Sequence, residues 1–216
     1  AAPSGSPRAA AADQRHGMIA HSLRAGPATE TEWLGPVPVR QWFAHPERRL
    51  EVDLGCGKGR FLLAHAARHP QTNFLGIDRM LRRIRAVDNR ARRLDLDNIR
   101  LMRVEAYYAV AYLLPPGAVD TYYICFPDPW PKARREGHRL FNALFLDALH
   151  RTLAPGGAIH VATDHQPYFR QLVDIFARDP RFVPIAPWGP PPEEQTDFER
   201  YYISQVPIGR LGVRRA

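Results

Sequence analysis

The run "RLEVDLGCGKGRFLLAHAARHP", Arg49 to Pro70, decides how the rest of the chain is read. "RLEVDLG" is a short apolar strand that ends in glycine. "GRFLLAHAARHP" is a helix closed by Pro70. Gly55, Gly57 and Gly59 fill the turn between them. Such a turn needs glycine for positive φ and for close approach of the backbone to a ligand. The spacing is G-x-G-x-G, without the third glycine where a dinucleotide fingerprint puts it. That disfavours a pyrophosphate held at the helix N-terminus, and with it a nicotinamide oxidoreductase. An adenosyl ligand with an amino-acid tail fits better.

Outward from this turn, strand and helix patterns alternate. "NFLGID" is a second strand, "RMLRRIRAVDNRARRLDL" a helix and "NIRLMRVEA" a third strand. "YYAVAYLLPPG" is a short helix stopped by prolines, and "VDTYYICF" a fourth strand. "HRLFNALFLDALHRTLAPGG" reads as one long helix, "AIHVATD" as a fifth strand and "QPYFRQLVDIFARDP" as a helix. Alternation of this kind indicates βαβ units, hence an α/β fold with a doubly wound, mostly parallel sheet covered on both faces. "RFVPIAP" and "YYISQVPIG" are candidates for antiparallel strands at the C-terminal edge. Residues 1–30, rich in Ala, Pro, Ser, Gly and Arg, read as a flexible basic arm. Residues 31–216 read as a single domain.

The 216 residues suffice for one substantial core, and the formal net charge of +8 favours a polyanionic partner, nucleic acid first. Lysine occurs only at Lys58 and Lys132, so the charge is almost all arginine. No run approaches the roughly 18 apolar residues of a membrane span. Cys56 and Cys125 fall in different motifs and do not form a disulfide scaffold, so a reducing cytoplasm is expected. His65, His69, His160 and His165 show no ligand spacing with cysteine, and no metal is expected. Whether the chain is a monomer or a homodimer is not encoded in these patterns.

Chemistry gathers at the strand ends. Asp78, nineteen residues after Gly59, closes the second strand, where a carboxylate accepts from both hydroxyls of a ribose. Glu105 and Ala106 close the third, where an adenine would lie. After the fourth strand comes "FPDPWPKARREGHRL", in which three prolines thread around Asp128 and Trp130 before a basic run.

These segments carry a resemblance. "LEVDLGCGKG", "FLGID", "FPDPWPKAR", "VATD" and "TDFER" make the chain similar to the bacterial tRNA (guanine-N7-)-methyltransferases, from about Leu50 to Arg200. "FPDPWPK" is the specific part of the match; a G-x-G loop is not. The resemblance implies a Rossmann-like methyltransferase sheet and transfer of a methyl group from S-adenosylmethionine to guanine 46 in the tRNA variable loop. It implies cofactor-site acids at Glu51 and Asp78, and at Glu105 where the family usually has aspartate. It implies catalysis by Asp128, and substrate or cofactor contacts from Thr163, Asp164, Thr196 and Glu199. The chain departs from the pattern at Glu136 and Gly137, inside the basic run, and at "YYISQ", which lacks the usual Arg-Gly.

The resemblance makes chemical sense of the proline-threaded loop. Guanine N7 has an in-plane lone pair and no proton, so it can attack a sulfonium methyl without a general base. Positive charge then passes to the purine. Asp128 would stabilise it and could accept from N1–H and the 2-amino group. Trp130 would stack on the base. Lys132, Arg134, Arg135 and Arg139 would meet phosphates. On the helix after Asp78, at about 100° per residue, Arg79, Arg82, Arg83, Arg90 and Arg93 share one arc, either a solvated face or a phosphate track. The alternatives are an exocyclic-amine methyltransferase and a non-catalytic RNA-binding paralogue. The aromatic after Asp-Pro comes one position early for the first. Asp78 and Asp128, acids beside a polyanion, argue against the second.

Overall fold

A computed structural model of the chain describes residues 35–130, 139–202 and 206–216. The N-terminal arm, Lys132, Arg134 and Arg135 lie outside the described residues. Among the described residues, seven strands form one sheet in the order β3-β2-β1-β4-β5-β7-β6. The central five, β1 (Leu50–Leu54), β2 (Asn73–Ile77), β3 (Ile99–Met102), β4 (Val119–Cys125) and β5 (Leu153–Thr163), pair in parallel. β7 (Gly209–Arg215) runs antiparallel between β5 and β6 (Phe182–Ile185).

Helices cover both faces, so the inner strands can be apolar throughout. All five residues of β2 are buried. α1 (Arg60–Arg68) and α2 (Leu81–Arg93) close one side over Leu62, Leu63, Phe74, Ile84, Val87 and Ala91. α2 buries Ile84, Val87 and Ala91 and leaves its arginines outside. α4 (Ala143–Thr152) and α5 (Gln166–Ala177) cover the other face, over a core that includes Tyr122, Phe145, Leu149 and Tyr168. Each large side chain so buried contributes roughly 1.5–3 kcal/mol before entropy is counted. Between β3 and β4, α3 (Ala106–Tyr108) runs directly into a π-helical turn, Ala109–Leu113. No helix among the described residues is long and apolar enough to cross a membrane.

Three boundaries differ from the sequence reading. α4 starts at Ala143, not near His138, because the Asn142 side chain accepts from the Phe145 amide at 3.0 Å and caps the helix there. It stops at Thr152, and Pro155-Gly156-Gly157 lies within β5, where the register against β4 shifts between Val119 and Thr121. The final strand begins at Gly209; Tyr201 and Tyr202 instead end α6 (Asp197–Tyr202). β6, by contrast, falls within "RFVPIAP". Its Pro184, which has no amide proton to give, sits on the outermost strand of the sheet.

The order places β1 beside β4, the point where the winding reverses. In an open α/β sheet the ligand crevice forms outside the carboxyl ends of such neighbours. Here those ends are the glycine turn and the "FPDPW" segment.

Candidate active site

Gly55, Gly57 and Gly59 all adopt positive φ, at 90°, 56° and 71°. Gly59 is also tightly packed: a Cβ there would lie 2.5 Å from Val87 Cγ2. The turn it closes aims the Gly57 amide at Asp78 Oδ2, 3.1 Å away. The same carboxylate accepts from the Met80 amide at 2.7 Å through Oδ1, and from Arg83 Nη1 at 3.2 Å through Oδ2. Asp78 is thus buried, ion-paired to Arg83 and bonded to two backbone amides. Glu105 caps α3, with one oxygen accepting from Tyr107 and the other from Tyr108, both at 2.9 Å.

Across the crevice the segment after β4 is held in a costly backbone shape. Phe126 has φ 55° and Trp130 φ 40°, and neither is glycine. Left-handed backbone in bulky residues costs of order 1–3 kcal/mol each and persists only where surroundings enforce it. One enforcer is Arg139. Its Nε donates to Pro129 O at 2.7 Å, its Nη1 to Gln171 Oε1 at 2.5 Å, and its guanidinium lies over the Tyr168 ring. The expected phosphate contact from Arg139 therefore gives way to a buried clamp on the loop.

Two cavities lie side by side here. The larger, about 540 Å3, is lined by Asp78, Glu105, Ala106, Asp128 and Trp130, among others. The smaller, about 260 Å3, lies against Asp53, Gly55 to Gly59 and Thr196. Gly55, Arg83, Cys125 and Phe126 line both. A volume near 540 Å3 lies within the range of small-molecule sites.

Three residues sit differently from the sequence reading. Glu51 lines neither cavity; it faces His65 Nε2 at 3.5 Å beneath α1. Asp164 is half-buried past β5 and lines neither. Glu199 is fully buried and lines neither cavity. It accepts from the Thr196 amide at 2.8 Å while Thr196 Oγ1 accepts from the Glu199 amide at 3.1 Å, the reciprocal capping box that T-x-x-E encodes. Its other oxygen pairs with Arg210 of β7. Thr196 itself borders the smaller cavity.

Asp53 was not singled out by the sequence. Its signal is an acid inside an apolar strand two residues before Gly55. Burial, with Asp78 adding to it and His65 opposing, pushes its carboxyl up to about 7. Arg83 was seen only as part of a basic stripe. The link from its helix back to Asp78 is invisible without the turn.

Behind α1, His65 joins Glu194 at 2.7 Å through Nδ1 and Tyr123 at 3.3 Å through Nε2. Burial disfavours the His65 imidazolium, yet bonds to Glu51 and Glu194 outweigh it and hold its pKa above the ordinary 6.5. His65, His69 and Glu194 bring ligand-type atoms within 4.8 Å of one another. Arg68 Nε stands 3.0 Å from the other oxygen of Glu194.

A doubly wound sheet with its glycine turn, paired acids and cavity at the winding reversal defines a Rossmann-like methyltransferase fold. The 16S rRNA (adenine(1408)-N(1))-methyltransferase of Catenulisporales acidiphilia, solved with its cosubstrate SAM, shares it. That match has a TM-score of 0.57 at 18% identity and covers 86% of this chain and 91% of that one. Residues 47–201 match the family model described as putative methyltransferase. The tRNA (guanine-N(7)-)-methyltransferase of Rubrobacter xylanophilus is 38% identical over 136 residues, 63% of this chain and 60% of that protein. That of Halorhodospira halophila is 37% identical over 158 residues, 69% of this chain and 67% of its own length. The chain belongs to the tRNA (guanine-N(7)-)-methyltransferase family. It spans about three fifths to two thirds of the length of these curated relatives.

Proposed function

We propose that the chain transfers the methyl group of S-adenosylmethionine to N7 of a tRNA guanine, at position 46 of the variable loop. The observation that carries the reading is one juxtaposition. Asp128 and Trp130 border the same cavity as Asp78, Glu105 and Ala106. The nucleoside end of the donor lies against Asp78, Glu105 and Ala106. Its amino-acid end reaches the smaller cavity, where its ammonium meets Asp53. The guanine enters from the Trp130 side.

The reaction needs no proton transfer. The N7 lone pair forms the new C–N bond, the C–S bond breaks, and its electron pair returns to sulfur. The cation passes from sulfonium to purine. In-line alignment supplies most of the acceleration, and the Asp128 carboxylate stabilises charge as it develops on the base. The same carboxylate accepts from N1–H and the 2-amino group, which adenine cannot offer in that pattern. The strained, arginine-clamped loop keeps it aimed.

The test is digestion of tRNA treated with enzyme and S-adenosylmethionine, with identification of the modified nucleoside and its position. The expected product is 7-methylguanosine at position 46. A methyl group on an exocyclic amine, or no methylation by protein that binds the donor, overturns the reading.

A further inference from the structure

We infer that Arg83 couples the two substrates: the donor's ribose displaces it from Asp78, and the freed guanidinium then takes a phosphate of the RNA strand. This rests on the methyl-transfer reading. It starts from a hydrogen-bond count. A carboxylate offers about four lone-pair sites. Asp78 already accepts from Gly57 N, Met80 N and Arg83 Nη1. A ribose diol brings two more donors, one more than the carboxylate can serve. The two amides are backbone groups fixed by the glycine turn and the start of α2. Arg83 is the one donor on a flexible side chain, and that side chain is 44% exposed. Arg83 is the group that gives way.

Its position says where it goes. Arg83 lines both cavities, and in the larger one it shares the wall with Asp128 and Trp130, on the guanine's approach. Its place on α2 is unfavourable for the helix itself. The first turn of α2 holds no acid, and Arg82 and Arg83 stand at the end where the helix macrodipole repels cations. A residue kept there for helix stability would be an aspartate or glutamate. A cation at that end suits an incoming phosphate, which gains from the guanidinium and the dipole together. Binding free energies couple reciprocally, so the donor tightens RNA binding as much as RNA tightens donor binding.

The experiment measures S-adenosylhomocysteine binding by calorimetry, and tRNA binding with and without saturating S-adenosylhomocysteine. It uses the wild-type chain, Arg83→Gln and, to keep the aliphatic stem, Arg83→Met. In the wild type, S-adenosylhomocysteine should tighten tRNA binding about fivefold. In both variants, S-adenosylhomocysteine alone should bind at least about threefold tighter, because its competitor for Asp78 is gone. The ratio of tRNA affinities should fall to about one. A merely structural role for Arg83 would weaken ligand binding, not strengthen it. Weaker S-adenosylhomocysteine binding in the variants, or an unchanged tRNA ratio, overturns the inference and leaves the methyl-transfer reading standing. Failure of the wild type to bind S-adenosylhomocysteine overturns both.

Discussion

Asp128 and Asp53 are two carboxylates in one crevice with opposite environments. Asp128 is exposed at the mouth, where it can face a forming cation. Replacing it with alanine should abolish turnover while S-adenosylhomocysteine affinity, read by calorimetry, changes less than about threefold; near-normal rates would remove Asp128 from the mechanism. Asp53 is buried, and burial has a pH signature. The unfolded chain releases its proton near the ordinary 3.8, the folded chain near 7. Between these values the native state holds more protons, so stability falls as pH rises through that window. Asp53→Asn removes the penalty. The variant should match the wild type near pH 4 and be more stable by on the order of 3 kcal/mol at pH 8 in denaturant titrations. A constant difference across that range would contradict the assignment. Asp78 and Asp128 were legible in the sequence because acids at the ends of parallel strands point into a known crevice. Asp53 was not, because nothing in an apolar strand tells which way a single acid faces.

Among the elements, α6 shows how one string can carry two meanings. T-x-x-E at Thr196 to Glu199 reads as a substrate motif by resemblance and folds as a capping box. Glu199 also neutralises Arg210, tying the helix to β7. Loss of the cap alone costs about 1 kcal/mol, so Thr196→Ala should be mild. Glu199→Ala leaves the largely buried Arg210 without its carboxylate and should cost about 3 kcal/mol in thermal or denaturant unfolding. Equal effects of the two substitutions would show that the ion pair contributes nothing. Arg139 teaches the same lesson from the other side. In sequence it is one more arginine after "FPDPWPK"; folded, it is the clamp that holds Pro129 in place. The start of α4 was misread for a similar reason, since the cap Asn142 lies inside a stretch whose apolar period continues past it.

At the scale of the molecule, the glycine turn, the strand order and the proline-threaded loop are one device. The sheet was legible as alternating strands and helices because buried parallel strands are apolar along their whole length. The last strand was not, because β7 is rich in arginine and its pattern resembles a basic tail. What the fold accomplishes is to bring the ends of β1, β2, β3 and β4 to one crevice, with Asp78 and Asp128 bordering the same cavity. The account holds that a base is methylated there through its own lone pair, with no side chain taking a proton. The direct measurement is methyl transfer to a tRNA carrying 7-deazaguanine at position 46, beside the same tRNA with guanine. The deaza base keeps the ring shape, N1–H and 2-amino group but has carbon in place of N7. The account predicts that this tRNA binds as guanine-tRNA does and accepts no methyl group. Transfer at a comparable rate to the 7-deaza substrate would contradict it.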